Sequence, residues 1–191
     1  RYGDIVFCSV NHRLGALGFS DLAGAGGEKY RHSGNAGMLD IVAALKWIQA
    51  NIANFGGDPS NVTVMGQSGG GSKVCLLCAM PAAKGLFHKA VALSGNTVKA
   101  NNADYAERLG NAILHEAGLD TSQVDSLQSV PWEQYLELAN RARQRMAAED
   151  PGSRSGFAPV ADGIDIPKGI FFEGENRTCL LYTSDAADDL I

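Results

Sequence analysis

The stretch Asn61-Val62-Thr63-Val64-Met65-Gly66-Gln67-Ser68-Gly69-Gly70-Gly71 decides the fold of this chain. Its first half is β-branched and reads as a strand, and a small-residue, apolar helix is expected from about Ser72 to Met80, stopped at Pro81. Between them Gly66-Gln67-Ser68-Gly69-Gly70 matches G-x-S-x-G. Alone that match is weak, because short glycine-rich patterns recur by chance. Between a strand and a helix it describes a nucleophile elbow, a serine in strained backbone geometry with its hydroxyl held clear of the sheet's C-terminal edge. Gly66 and Gly70 are expected to remove side chains that would strike the neighbouring strand and helix. The Gly69 N–H, at the helix start, can then donate to a developing oxyanion, a contribution of about 2.7–4 kcal/mol. Ser68 and Gly69 are therefore the candidate catalytic residues.

A strand, a glycine-rich loop and a helix also describe phosphate-binding loops. The run Gly66 to Lys73 nearly satisfies G-x-x-x-x-G-K-[ST], but Ser72 and Lys73 come in reversed order. That order would misplace both the phosphate-binding ammonium and the magnesium-binding hydroxyl, so the nucleotide reading is set aside.

Working outward, Ile5-Val6-Phe7-Cys8-Ser9-Val10 reads as a strand buried on both faces, and after Asn11-His12-Arg13-Leu14-Gly15 a glycine-rich polar stretch to Gly34 reads as loop. A long helix is expected from Ala36 to Ala53, with Met38, Ile41, Val42, Leu45, Ile48 and Ile52 on one face and Asn35 as its cap. Ala90-Val91-Ala92-Leu93 is a further strand. The order strand, helix, strand, helix, strand implies a parallel sheet with helices on its faces, an α/β architecture. Two more helices are expected over Tyr105–Ala117 and Trp132–Ala148. The second carries Arg141, Arg143 and Arg145, whose spacing spreads them around the helix as a solvated end rather than an anion site. Residues 157–163 read as a short extended segment and turn.

The chain has 191 residues, 45% hydrophobic and 19% charged, with a net charge of −5. That suits one soluble globular domain, and the acidic balance argues against a dedicated nucleic-acid binder. No run of about 18 apolar residues exists to span a membrane. Four cysteines are too sparse for a disulfide scaffold. Cys75 and Cys78 fall on the helix after the elbow without a second Cys or His pair at ligand spacing, so they read as buried small hydrophobes rather than a metal or redox site.

The histidines are His12, His32, His88 and His115. In hydrolases with such an elbow the acid and then the histidine follow the serine, which excludes His12 and His32 by order. His88 lies beside Lys84 and Lys89 in a surface-like setting, and His115 falls on an expected helix rather than a loop. None is assigned as the base.

Several further runs are similar to the type-B carboxylesterases, the family that includes bacterial para-nitrobenzyl esterases and the cholinesterases. Asn11-His12-Arg13-Leu14-Gly15 resembles that family's N-Y-R-L-G turn. Gly34-Asn35-Ala36-Gly37-Met38-Leu39-Asp40 resembles G-N-x-G-x-x-D, and Asn51-Ile52 through Phe55-Gly56-Gly57-Asp58-Pro59 resembles N-I-x-x-F-G-G-D-P. Gly85-Leu86-Phe87 leads to Ser94-Gly95, and Phe157-Ala158-Pro159-Val160-Ala161-Asp162-Gly163 resembles F-x-P-V-x-D-G. The resemblance covers about residues 1–165. The chain departs from it at Gln67, where the family commonly has Glu, at Gly69, where it has Ala, and at His12, where it has Tyr. A neutral residue beside Ser68 weakens the local negative field, which matters more for cationic substrates than for acyl transfer.

The resemblance implies an α/β-hydrolase fold over residues 1–178, a mostly parallel sheet with helices on both faces plus a helical insertion. It implies hydrolysis of carboxylic esters through an acyl-enzyme on Ser68, a small-molecule ester as substrate, and no cofactor or metal. The family's oxyanion H-G-G-G segment would lie upstream of Arg1, and its acid and histidine downstream of residue 178. Gly174-Glu175-Asn176-Arg177 is only superficially like the run that holds the acid, so neither Glu173 nor Glu175 is assigned. Residues 179–191 read as a non-native tail that resembles a translated sequencing adapter. The few cysteines mildly favour a bacterial cytoplasm, with the compartment otherwise open. A non-catalytic adhesion or binding protein on the same fold is the alternative; such relatives typically lose the nucleophile, and an intact elbow counts against it. A lipase or amidase on this fold is a third reading. Without a base, the 191-residue chain by itself is expected to be inactive, since loss of the base alone costs roughly 10⁶ in turnover. Ester hydrolysis by the purified chain, abolished by Ser68→Ala, would overturn that expectation.

Overall fold

The structure is a computed structural model that describes residues 3–95, 100–150 and 156–168, together with the backbone of 181–184. Its elements in chain order are α1 (Gly15–Phe19), α2 (Ala23–Gly26), α3 (Ala36–Asn51), β1 (Thr63–Gln67), α4 (Gly69–Leu77), β2 (Lys89–Leu93), α5 (Ala103–Glu116), α6 (Trp132–Glu149) and β3 (Leu181–Ser184), with short 3₁₀ turns between them. Two compact units result. The first holds Arg1–His12, Met38–Ala100 and Gly163–Ile191, and the second Arg13–Gly37 and Asn101–Asp162.

In the first unit β1 and β2 pair in parallel, with Thr63 opposite Lys89 and Gln67 opposite Leu93. A parallel pair needs a crossover, and α4 supplies it. Val74, Cys75, Leu76 and Leu77 of α4 are buried, as are Cys78, Ala79 and Met80 beyond it, and the helix packs on both strands. Cys75 and Cys78 are free thiols within this apolar layer, and burial pushes the Cys75 thiol up. Helix α3 buries Met38, Val42 and Leu45 on the face expected from its spacing, with Ile41 and Ile48 half-buried. The chain then tightens into a 3₁₀ turn over Ile52–Phe55 and ends on Gly56, whose φ of +80° is the left-handed stop that glycine adopts without strain. Gln49 Nε2 donates to the carbonyls of Pro59 and Leu86, holding the connection to the helix.

Two expectations are corrected in this unit. Ile5–Val10 forms no strand, and Ile5 and Phe7 are 75% and 73% exposed. A strand exists only with a neighbour to share its ladder, and no described strand lies beside this run. Helix α4 begins at Gly69, three residues before the expected start at Ser72. Leu181–Ser184, within the 179–191 stretch set aside as a tail, forms β3 in parallel with β2, Ala90 facing Leu181 and Leu93 facing Ser184. Residues 185–191, Cys179 and Glu173 to Arg177 lie outside the described residues.

The second unit is helical. Leu109, Ala112 and Ile113 of α5 meet Leu138, Ala139, Ala142 and Met146 of α6, with Ala16 of α1 against them. Helix α5 is capped by Asn102, whose side chain accepts from the Tyr105 N–H. The stretch expected as loop contains α1, α2 and two 3₁₀ turns, because Phe19, Leu22 and Tyr30 are buried and anchor single helical turns too short to show a period. Arg141 and Arg145 do not simply face water. Arg145 pairs with Glu116 at 2.9 Å and Arg141 with the same carboxylate at 3.3 Å, bridging α6 to α5. Among the described residues no helix is long and apolar enough to cross a membrane.

Asn35 is fully buried, and its side chain answers a tertiary demand rather than capping α3. Its Oδ1 accepts from the Val160 N–H at 2.9 Å, and its Nδ2 donates to the Val160 carbonyl at 2.9 Å and to Asp162 Oδ2 at 3.0 Å. Val160 itself bridges to Asn101 in parallel. Asn35→Ala leaves the buried Val160 N–H without a partner, while the Val160 carbonyl keeps the Asp162 N–H. It should destabilise the protein by about 2–3 kcal/mol, read as a lower urea midpoint at unchanged slope.

Candidate active site

The elbow is built by β1 running into α4 with one residue between them. Ser68 is that residue, at φ +54° and ψ −120°, a region that L side chains rarely adopt. Three contacts hold it there. The Ser68 N–H donates to the Leu93 carbonyl at 2.8 Å, which extends the β1–β2 pairing by one residue. The Ser72 N–H donates to the Ser68 carbonyl at 3.1 Å and so starts the helix. A Cβ placed on Gly95 would lie 1.9 Å from the same carbonyl oxygen, so the chain after β2 passes close behind the turn. Ser68 and Gly69 are both exposed. Strain of this kind costs about 1–3 kcal/mol and persists only where the surroundings over-determine it.

Of the two glycines expected to relieve crowding, one does so. A Cβ on Gly66 would stand 2.4 Å from the Gly70 carbonyl carbon and oxygen, so the strand end and the helix start touch backbone to backbone. A Cβ on Gly70 meets nothing within 4 Å among the described residues. The second close approach falls on Gly71, where a Cβ would sit 3.1 Å from Gly95 and from the Leu93 carbonyl. The earlier start of α4 turns Gly71, rather than Gly70, toward β2.

One neighbour was not singled out from sequence as part of this site. Lys73 Nζ donates to the Gly69 carbonyl at 3.4 Å, and burial holds its pKa below the usual lysine range. Its relation to Gly69, four residues along one helix, is readable once α4 is known to start at Gly69. Around it, His12 is pushed toward its neutral form, mostly by burial and then by the Lys73 charge, while Asp40 pulls the other way. The His12 Nε2 is buried without a hydrogen-bond partner among the described residues.

Two of the remaining histidines are engaged elsewhere. His88 Nδ1 accepts from the Val62 N–H at 3.1 Å, and the His115 Nδ1 lies 3.0 Å from Arg145 on the second unit. Among the described residues no group of three or more His, Cys, Asp or Glu side chains could hold a metal ion.

A family model described as the carboxylesterase family matches residues 1–181. The chain belongs to the carboxylesterase family. It is 40% identical over 166 residues to the para-nitrobenzyl esterase of Bacillus subtilis (strain 168), covering 87% of this chain and 33% of that protein. Among solved carboxylesterase-like structures, a thermophilic PNB esterase superposes with a TM-score of 0.74 at 42% identity, covering 82% of this chain and 31% of the other. An esterase from Clostridium hathewayi gives 0.73 at 38% identity, covering 92% and 35%. The chain thus spans about a third of the length of the curated relatives it matches. Its fold is part of the α/β-hydrolase fold of these esterases.

The crowding at the elbow separates its glycines. Gly66→Ala should destabilise the protein by about 3 kcal/mol or more, because backbone rather than a flexible side chain must give way. Gly70→Ala, on an open face of α4, should be neutral or stabilising by about 0.5–1 kcal/mol. Ser68→Gly should raise stability by about 1 kcal/mol by releasing the positive-φ strain. Chemical denaturation of the three variants checks the order.

Proposed function

We propose that the protein carrying this chain is a serine carboxylic ester hydrolase, with Ser68 as nucleophile and the Gly69 N–H as one oxyanion donor. The observation that carries the reading is an exposed serine held at φ +54° between a parallel strand and a helix N-terminus, in a chain of the carboxylesterase family. Ser68 Oγ attacks the ester carbonyl carbon and passes its proton to a general base. The carbonyl oxygen takes the negative charge, and the N–H groups at the start of α4 face where that charge develops. Collapse of the tetrahedral species breaks the bond to the alcohol oxygen, which leaves protonated and gives an acyl-enzyme. Water then attacks the acyl carbon by the same route and restores the Ser68 hydroxyl. No described histidine is assigned as the base. The substrate is a small-molecule ester, and the chemistry requires no metal or cofactor.

The test uses the complete reading frame that contains residues 1–191. A fluorophosphonate probe should label it on Ser68, and Ser68→Ala should abolish the label and lower para-nitrophenyl ester turnover by about 10⁴–10⁶. Labelling at another residue, or hydrolysis that survives Ser68→Ala, would overturn the proposal. A protein that binds a partner on this fold without catalysis would take up no probe at all.

A further inference from the structure

We propose that the seam between α5 and α6 in the helical unit binds the carboxylate of a small apolar organic acid. A cavity of about 450 Å³ opens there, lined by Arg108, Asn111, Ala112 and His115 of α5 and, across the seam, by Arg145 and Met146 of α6. Positions 108, 111, 112 and 115 fall at i, i+3, i+4 and i+7, so the four share one face of α5. The floor is apolar, since Ala112 and Met146 are only 8% and 9% exposed. Arg108, Asn111 and His115 form an exposed polar rim around it.

The donors of that rim are not all used. Arg145 is committed, pairing with Glu116 at 2.9 Å and lying 3.9 Å from Glu149. A guanidinium can only donate, so the His115 Nδ1 at 3.0 Å from Arg145 accepts and the ring proton stands on Nε2. Arg108 and Asn111 make no hydrogen bond or ion pair among the described residues, although Asp104 precedes Arg108 by one turn and Glu149 lines the same cavity. An unpaired guanidinium, a carboxamide N–H and an imidazole N–H thus border one apolar floor. A carboxylate takes two parallel bonds from a guanidinium, and its hydrocarbon part can lie on Ala112 and Met146. Glu149 at the same mouth repels a second negative charge, so a monocarboxylate suits the seam better than a phosphate dianion. This binding is independent of the chemistry at Ser68.

The experiment is a calorimetric titration of the complete protein with hexanoate, compared with neutral hexanamide. Hexanoate should bind at least about 10-fold more tightly than the amide. Arg108→Gln should weaken hexanoate by about 5- to 10-fold, and Asn111→Asp by at least as much. Both residues are exposed on a helix, so neither change threatens folding. In the unaltered protein the affinity for hexanoate should fall as salt rises from roughly 0.02 to 0.5 M, a test that needs no variant. Inorganic phosphate at equal ionic strength should displace little of the bound acid. The inference is overturned by absence of binding, by equal affinity for acid and amide, or by an affinity that ignores salt. It is equally overturned if both variants stay within twofold of the unaltered protein, or if phosphate displaces hexanoate as readily as hexanoate itself does.

Discussion

At the end of β1 the backbone turns from strand to helix within one residue, and Ser68 takes the whole turn at φ +54° and ψ −120°. Everything else around the elbow makes that conformation the least costly one available. The register of β1 on β2 delivers the Ser68 N–H to the Leu93 carbonyl, and the first hydrogen bond of α4 takes up the Ser68 carbonyl. Gly66 lets the strand end lie against the helix start, and Gly71 lets the helix lie against Gly95. Local strain of about 1–3 kcal/mol is thereby offset by contacts that a relaxed loop would forfeit.

The same constraint fixes what the site presents to solvent. A helix that starts immediately after the serine puts its unpaired N–H groups beside the hydroxyl, and three successive glycines leave them uncovered by side chains. Lys73 reaches back to the Gly69 carbonyl because four residues separate the two on one helical face. The exposed N–H groups at the elbow are thus a product of where the helix begins.

The strand, turn and helix of the elbow are legible in sequence because β-branched residues, a glycine cluster and an apolar helical stretch change period sharply at residue 66. The face of α3 is legible for the same reason, since Met38, Val42 and Leu45 repeat at helical spacing. What escapes is whatever depends on a partner. Ile5–Val10 has the composition of a buried strand but lacks a described neighbour to pair with. The residues before α3 form single helical turns, held by scattered buried anchors such as Phe19 and Tyr30 rather than by a repeating pattern. Within the elbow, the helix boundary was the missing quantity. A start at Gly69 instead of Ser72 moves the close contact from Gly70 to Gly71 and brings Lys73 over Gly69.

Asn35 separates what the family motifs specify from what the chemistry needs. Read along the sequence, Gly34-Asn35 precedes a helix, and Val160-Ala161-Asp162 closes an extended segment far away. In the fold the two motifs are one hydrogen-bonded unit, with Asn35 satisfying both backbone groups of Val160 and touching Asp162. Such a unit is demanding because a buried amide leaves no room for substitutes of other shape or polarity. Motifs of this kind therefore identify the family through packing and say nothing about turnover. The catalytic reading depends separately on one residue, Ser68, which contributes a strained backbone and an exposed hydroxyl instead of stability. A chain could keep every packing motif and lose activity by one substitution at that turn, which is why belonging to the family and acting on esters are distinct claims about this protein.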